Sequence, residues 1–136
     1  MKHYIVLPVL AAVVFFSCAT GPVNIPPELT PAEIIQRAQE ASDKNRYNVA
    51  QQYYEALRER YPENINFVCT AEYEIAFIHY KQKNYAQAKD EFNSLLKRYE
   101  DAGEQFLPPE FKLLAIKVLE RIEEKENPKP KKKKEK

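Results

Sequence analysis

Apolar residues recur three and four positions apart in five blocks, and short polar or proline-bearing breaks separate the blocks. Such spacing keeps apolar side chains on one face of an α-helix. The first block predicts a helix from about Pro31 to Lys44, with Ile34, Ile35, Ala38 and Ala41 on its inner face. Thr30, Pro31 and Glu33 read as its start: the hydroxyl caps, proline suits the first turn, and the glutamate reaches back to the cap amide. Asn45 and Arg46 turn the chain, and Asn tolerates the left-handed conformation that a helix end favours. A second helix follows from about Tyr47 to Tyr61, with Ala50, Tyr54 and Leu57 inward, and Pro62 ends it. The third spans about Phe67 to Gln82 and the fourth about Tyr85 to Tyr99. A loop with Gly103, Pro108 and Pro109 leads to the fifth, about Glu110 to Glu126, whose apolar face holds Phe111, Leu114, Ala115, Val118, Leu119 and Ile122. No segment alternates with a period of two, so the fold class is all-α.

The pattern also repeats at long range. Moving the second helix along by 38 positions sets Tyr47 on Tyr85, Ala50 on Ala88, Leu57 on Leu95, Arg60 on Arg98 and Tyr61 on Tyr99. Tyr54 falls on Phe92, and one helix earlier Ala38 falls on Ala76. A period of this size marks stacked units, each burying its apolar face against the next. The expected architecture is a short α-solenoid of two helical hairpins over residues 30–126, closed by the fifth helix as a C-terminal cap. Lys117, Arg121, Glu124 and Lys125 would then meet water. So short a stack makes a small core, one that a partner or a second copy could complete.

The flanks differ in kind. Met1, Lys2 and His3 precede an apolar run from Tyr4 to Phe16, then Ser17 and Cys18. That order reads as a secretory signal over 1–17, and the run is shorter than the roughly 20 apolar residues that span a bilayer. Cys18, placed directly after a small residue, resembles the acylated cysteine of a bacterial lipoprotein; ordinary cleavage after Ala19 is the alternative. Several acyl chains, as such lipoproteins carry, would hold the chain firmly to a membrane. Gly21, Pro22, Pro26 and Pro27 make 18–29 an expected flexible tether. With Cys18 lipidated, Cys69 has no thiol to pair with and packs as a small apolar residue; a Cys18–Cys69 disulfide is the competing idea. At the other end, residues 127–136 hold Pro128, Pro130 and six lysines against Glu135, a tail that can form no core. The tail could touch anionic lipid or an acidic neighbour, or serve only solubility.

Composition narrows the chemistry. The net charge is +1, and the only two glycines, Gly21 and Gly103, leave no glycine-rich phosphate loop. His79 is the one histidine after the leader and has no partner at metal-ligand spacing, so no metal site and no cofactor are expected. The carboxylates Glu123, Glu124 and Glu126 read as a solvated helix end. The chain is not read as an enzyme, and nucleic acid is a poor partner for an exported protein.

Over Pro31 to Glu100 the two copies resemble tetratricopeptide repeats. The resemblance rests on the small residues Ala38 and Ala76, the aromatics Tyr47 and Tyr85 opening each second helix, the pairs Ala50 with Tyr54 and Ala88 with Phe92, and the closing Pro62. Ile34 and Glu72 stand where that family usually has a large aromatic, Glu100 replaces the second proline, and the period exceeds the usual length of about 34. The longer version, ending in Arg60, Tyr61 and Pro62, is similar to envelope tetratricopeptide proteins such as the lipoprotein of the outer-membrane β-barrel assembly machinery and the Tol–Pal coordinator. The resemblance implies a concave groove lined by Ile35, Gln39, Ser42 and Asp43, by Tyr73, Phe77, Tyr80 and Lys81, and by Lys112 with Ile116 from the cap. It implies an exported, membrane-anchored adaptor facing the periplasm, at the outer rather than the inner membrane, gripping a segment of another cell-envelope protein. A structural subunit that self-associates, and an accessory of an envelope transport system, are the other readings. Phe77 and Tyr80 are either interface anchors or core, and the sequence leaves both open.

Overall fold

A computed structural model describes residues 21–102 and 107–128. Five α-helices make up most of the described residues, with no strand among them: α1 (Pro31–Asp43), α2 (Tyr47–Arg60), α3 (Ile65–Lys81), α4 (Tyr85–Ala102) and α5 (Pro109–Glu126). Helix α1 pairs with α2 and α3 with α4, while α2 packs on α3 and α5 lies against both α3 and α4. This is an all-α helical repeat solenoid.

Local chemistry sets the helix ends. The Glu33 amide donates to Thr30 Oγ1 at 3.3 Å, and the Thr30 amide donates to Glu33 Oε2 at 2.9 Å, so two otherwise unpaired donors are satisfied reciprocally. The Thr30 hydroxyl, donating to Glu33 Oε2 at 2.7 Å, and then the Thr30 amide hold the Glu33 carboxyl below its ordinary range. Helix α3 starts two residues before the expected Phe67. Its cap is Asn64, whose Oδ1 accepts from the Asn66 and Phe67 amides. Helix α4 runs three residues past Tyr99, to Ala102.

The repeat is reproduced bond for bond in the two hairpin turns. Asn45 (φ 56°) and Lys83 (φ 64°) both adopt the left-handed conformation. The Arg46 amide donates to the Ala41 carbonyl at 2.8 Å, and the Asn84 amide to the His79 carbonyl at 2.9 Å. Asn45 and Lys83 in turn donate to Ser42 and Tyr80. Both sets close the helix ends with the paired bonds of a Schellman turn.

The core lies in two clusters, one per hairpin. Ile34, Ala38, Ala50, Tyr54 and Leu57 are buried in the first with Ile75 and Ile78 of α3. Cys69, Ala76, Ala88, Phe92, Leu95 and Tyr99 are buried in the second with Ala115, Val118 and Ile122 of α5. Leu114, expected on the inner face of α5, is instead exposed. At 39 % exposure it sits at the border of the buried stripe.

The expected tether is a correction. Residues 23–29 are docked on α2 rather than free: the Val23 amide donates to Gln52 Oε1 at 2.7 Å, and the Arg60 guanidinium donates to the Ile25 and Pro26 carbonyls at 2.7 and 2.9 Å. Leu29 is buried, and Val23 and Ile25 pack on the first cluster. The signal segment, Cys18 and residues 129–136 of the tail lie outside the described residues.

Candidate interaction groove

Residues Thr70, Glu74, Phe77 and Lys81 fall three and four apart on α3, between the face packed on α2 and the face packed on α4 and α5. Phe77 is half-buried and stacks on Tyr73 (ring centroids 5.8 Å apart) and on Tyr80 (5.6 Å). Tyr80 continues the row to Tyr85 at 6.0 Å. The Lys125 ammonium from α5 covers Tyr80 and Tyr85 at 5.6 and 5.9 Å, and Lys81 covers the Tyr47 ring at 5.4 Å. Each helix-opening tyrosine of the repeat thus receives a lysine from the next unit.

The α1 side of this groove is polar. Gln39 and Asp43 are exposed, and Ile35 and Ser42 are half-buried. Asp43 and Glu74 both bear on the Tyr54 hydroxyl, which burial first and these two carboxylates second hold well above its usual range. Glu74 is itself shifted up by burial, and the Lys81 charge opposes that shift. The groove therefore joins an aromatic, lysine-capped half to a half with two carboxylates.

The structure places Ile35, Gln39 and Asp43 on α1 and Phe77, Tyr80 and Lys81 on α3, and parts three expected members from them. Tyr73 is core: it contacts Phe92 at 5.7 Å and Phe111 at 5.6 Å, and burial pushes its hydroxyl up to about 12. Lys112 lies on the α4 side of α5, where its backbone hydrogen-bonds Tyr99. Ile116 likewise lines a cleft with Lys89 and Asn93 of α4. On the α3 side of α5 stand instead Phe111, in ring contact with Tyr73, and Lys125, over Tyr80, while the charge of the exposed Arg121 also bears on Tyr73.

Two polar features escaped sequence reasoning. His79 is 6 % exposed, with Nδ1 2.6 Å from Glu91 Oε2 on α4. Gln87 Nε2 donates to the other Glu91 oxygen at 3.1 Å, so the pair is held from both sides. The same Glu91 helps line a cleft of about 250 Å³ with Arg58, Glu72, Asp90, Ser94 and Arg98, on the side of α3 away from Phe77. Arg98 spans it in a forked pair with Glu72, its Nε donating at 3.0 Å. Among the described residues no three His, Cys, Asp or Glu side chains gather as a metal site. Cys69 is buried against Tyr99, and burial pushes its thiol up, which makes it a packing residue rather than a nucleophile. No described helix is long and apolar enough to cross a membrane.

Residues 70–102, which carry most of α3 and all of α4, match the tetratricopeptide repeat family. An uncharacterized protein of Treponema pallidum (strain Nichols) is 37% identical over 109 residues, 79% of this chain and 44% of that relative. The chain thus spans less than half the length of the relative. No solved structure matches. The chain carries a tetratricopeptide repeat, a unit whose general use is protein–protein interaction rather than catalysis.

Proposed function

We propose that the protein is a membrane-tethered adaptor of the cell envelope, holding a segment of another envelope protein in the groove of α1 and α3. The observation that carries the groove is Phe77, a large aromatic left half-buried between Glu74 and Lys81 on the open stripe of α3 and stacked on Tyr73 and Tyr80. Aromatic anchors of this kind dominate interface energetics, and a mixed groove suits an extended or helical peptide. Support for export and anchoring comes from the apolar run from Tyr4 to Phe16 followed by Cys18. Acylated at Cys18, the chain faces the periplasm from the outer membrane.

A photo-crosslinking residue at Lys81 should capture a discrete partner in intact cells, whereas the same residue at Ser94, on the opposite face, should not. Phe77→Ala with Tyr80→Ala should abolish the Lys81 adduct while circular dichroism stays helical. Equal capture from both positions would sink the groove. Cys18→Ala should remove acyl labelling and release the protein from membranes; persistent labelling ends the lipoprotein reading.

A further inference from the structure

All three exposed large hydrophobic side chains among the described residues lie in the first half of α5: Leu113 at 61 %, Leu114 at 39 % and Ile116 at 36 %. Their exposure has a topological cause. Helices α1 and α3 each have a hairpin partner, but among the described residues α5 has none. The face of Leu113 and Ile116 points away from α3, since Phe111 and Lys125 mark the α3 side of the helix. It continues into an open cleft of about 440 Å³ lined by Ile116, Leu119, Lys89 and Asn93.

Charge says what covers this face. Along α5 two pairs of charges stand with opposite signs about Ile116: Glu110 lies six residues before it and Arg121 five after, while Lys112 lies four before and Glu120 four after. A parallel pairing of two such helices would set like charge on like. An antiparallel pairing about a two-fold axis at Ile116 sets Glu110 against Arg121 and Lys112 against Glu120, each twice. At about 1.5 Å rise per residue, Glu110 and Arg121 lie roughly 9 and 7.5 Å from that axis, so they meet across it. Leu113 and Ile116 then pack on their own copies at the centre. The lysine tail is not the occupant, because two prolines among six lysines offer too little apolar surface to cover Leu113 and Ile116.

We propose that α5 is a homodimer contact, in which two copies of this chain pack α5 against α5 in antiparallel fashion about an axis at Ile116. A contact one helix wide stays below roughly 1,200 Å², the range of weak and reversible association. The α3 stripe of Glu74, Phe77 and Lys81 remains open in both copies, so a dimer presents two grooves and gains avidity toward any repeated ligand. The α5 contact forms whatever the groove binds.

Position-specific crosslinking of purified full-length protein tests the axis. Under mild oxidation Ile116→Cys should form a covalent dimer. Glu124→Cys, about 12 Å along the helix from the axis in each copy, should stay at the level that Cys18 and Cys69 alone produce. In sedimentation the unmodified chain should show mass rising with concentration, and Leu113→Glu with Ile116→Glu should hold it monomeric at unchanged helicity, as both positions are exposed. Glu110→Lys should weaken association about tenfold, and adding Arg121→Glu should restore it to within about threefold. A monomer at every concentration overturns the proposal. So does equal crosslinking at both cysteines, a dimer indifferent to Ile116→Glu, or a charge swap that restores nothing.

Discussion

The two hairpins are built on one plan and finished in two ways. Their turns share the same left-handed position and the same capping bonds, 38 positions apart. Ala50 and Ala88, Leu57 and Leu95, and Tyr54 and Phe92 are all fully buried. The outer side of the first hairpin is closed by an extended strap, Val23 to Leu29, and that of the second by a helix, α5. Arg60 and Arg98, equivalent in the repeat, show how this divergence is written. Where the second copy has Glu72 the first has Ile34, so Arg98 forks onto a carboxylate while Arg60 turns outward and grips two strap carbonyls. The tyrosines that follow diverge as well: the Tyr99 hydroxyl donates to the Pro108 carbonyl at the head of α5, whereas Tyr61 packs edge-on against Phe67. A repeat conserves its interior; its ends are fitted to whatever lies next to them.

The two covers should differ most in what their loss does. Stopping the chain after Ala102 uncovers Phe92, Leu95 and Tyr99, three of the largest side chains in the second cluster. That chain is expected to lose its cooperative unfolding transition, because a solenoid left open at its end exposes the apolar face of its last unit. Beginning the chain at Leu29 instead keeps the Thr30 capping box and removes only Val23, Ile25 and the arginine clamp. A loss of about 2–4 kcal/mol is expected there, measured by urea denaturation, with cooperativity intact. Equal losses at the two ends would break the distinction between strap and cap.

The arginine pair sharpens the contrast at single-residue scale. Arg60→Ala removes two hydrogen bonds from a charged donor to half-buried carbonyls, worth about 1–3 kcal/mol together. The loosening should be local: amide exchange at Val23, which donates to Gln52, should rise while the Phe92 amide stays protected. Arg98→Ala strands the half-buried Glu72 and should lower stability by about 1–2 kcal/mol without touching the strap. Hydrogen exchange that rises at Val23 in both variants would mean the strap is held by the fold at large and not by Arg60.

These differences also mark what the sequence could tell. The helices were legible because burial imposes a period on side chains, and Thr30 with Glu33 announces a start. The repeat was legible because Ala38, Ala50 and their copies cannot be large at zero exposure. The strap was not, since Arg60 bonds to backbone carbonyls, which carry no residue-type signal, and its proline content is that of a free tether. His79 with Glu91 was missed for a related reason: the two stand on different helices, twelve residues apart, and only the packing angle of α3 on α4 joins them. The α5 side of the groove went wrong because the repeat register was carried across the loop before Pro109. The helix arrives rotated, with Lys112 and Ile116 on its α4 side.

The smallest effect tests the part of the comparison that claims identity. Asn45 and Lys83 hold the same left-handed turn, but a side chain with a Cβ costs roughly 1–2 kcal/mol there, and Asn recovers part of that through local hydrogen bonding. Asn45 does so visibly, its Oδ1 accepting from the Tyr47 hydroxyl at 2.7 Å, while Lys83 has no bond of that kind to a side chain in its turn. Glycine at either site relieves the strain and adds freedom to the unfolded chain, at about 0.4–1 kcal/mol. For Lys83→Gly relief should prevail, and stability should rise by about 0.5 kcal/mol. For Asn45→Gly the lost hydrogen bond reverses the balance, and stability should fall by a similar amount. Opposite signs in paired denaturation curves are therefore the expected mark of one turn geometry filled by two different residues. Equal signs would mean that the two turns, alike in their backbone bonds, do not bear the same strain.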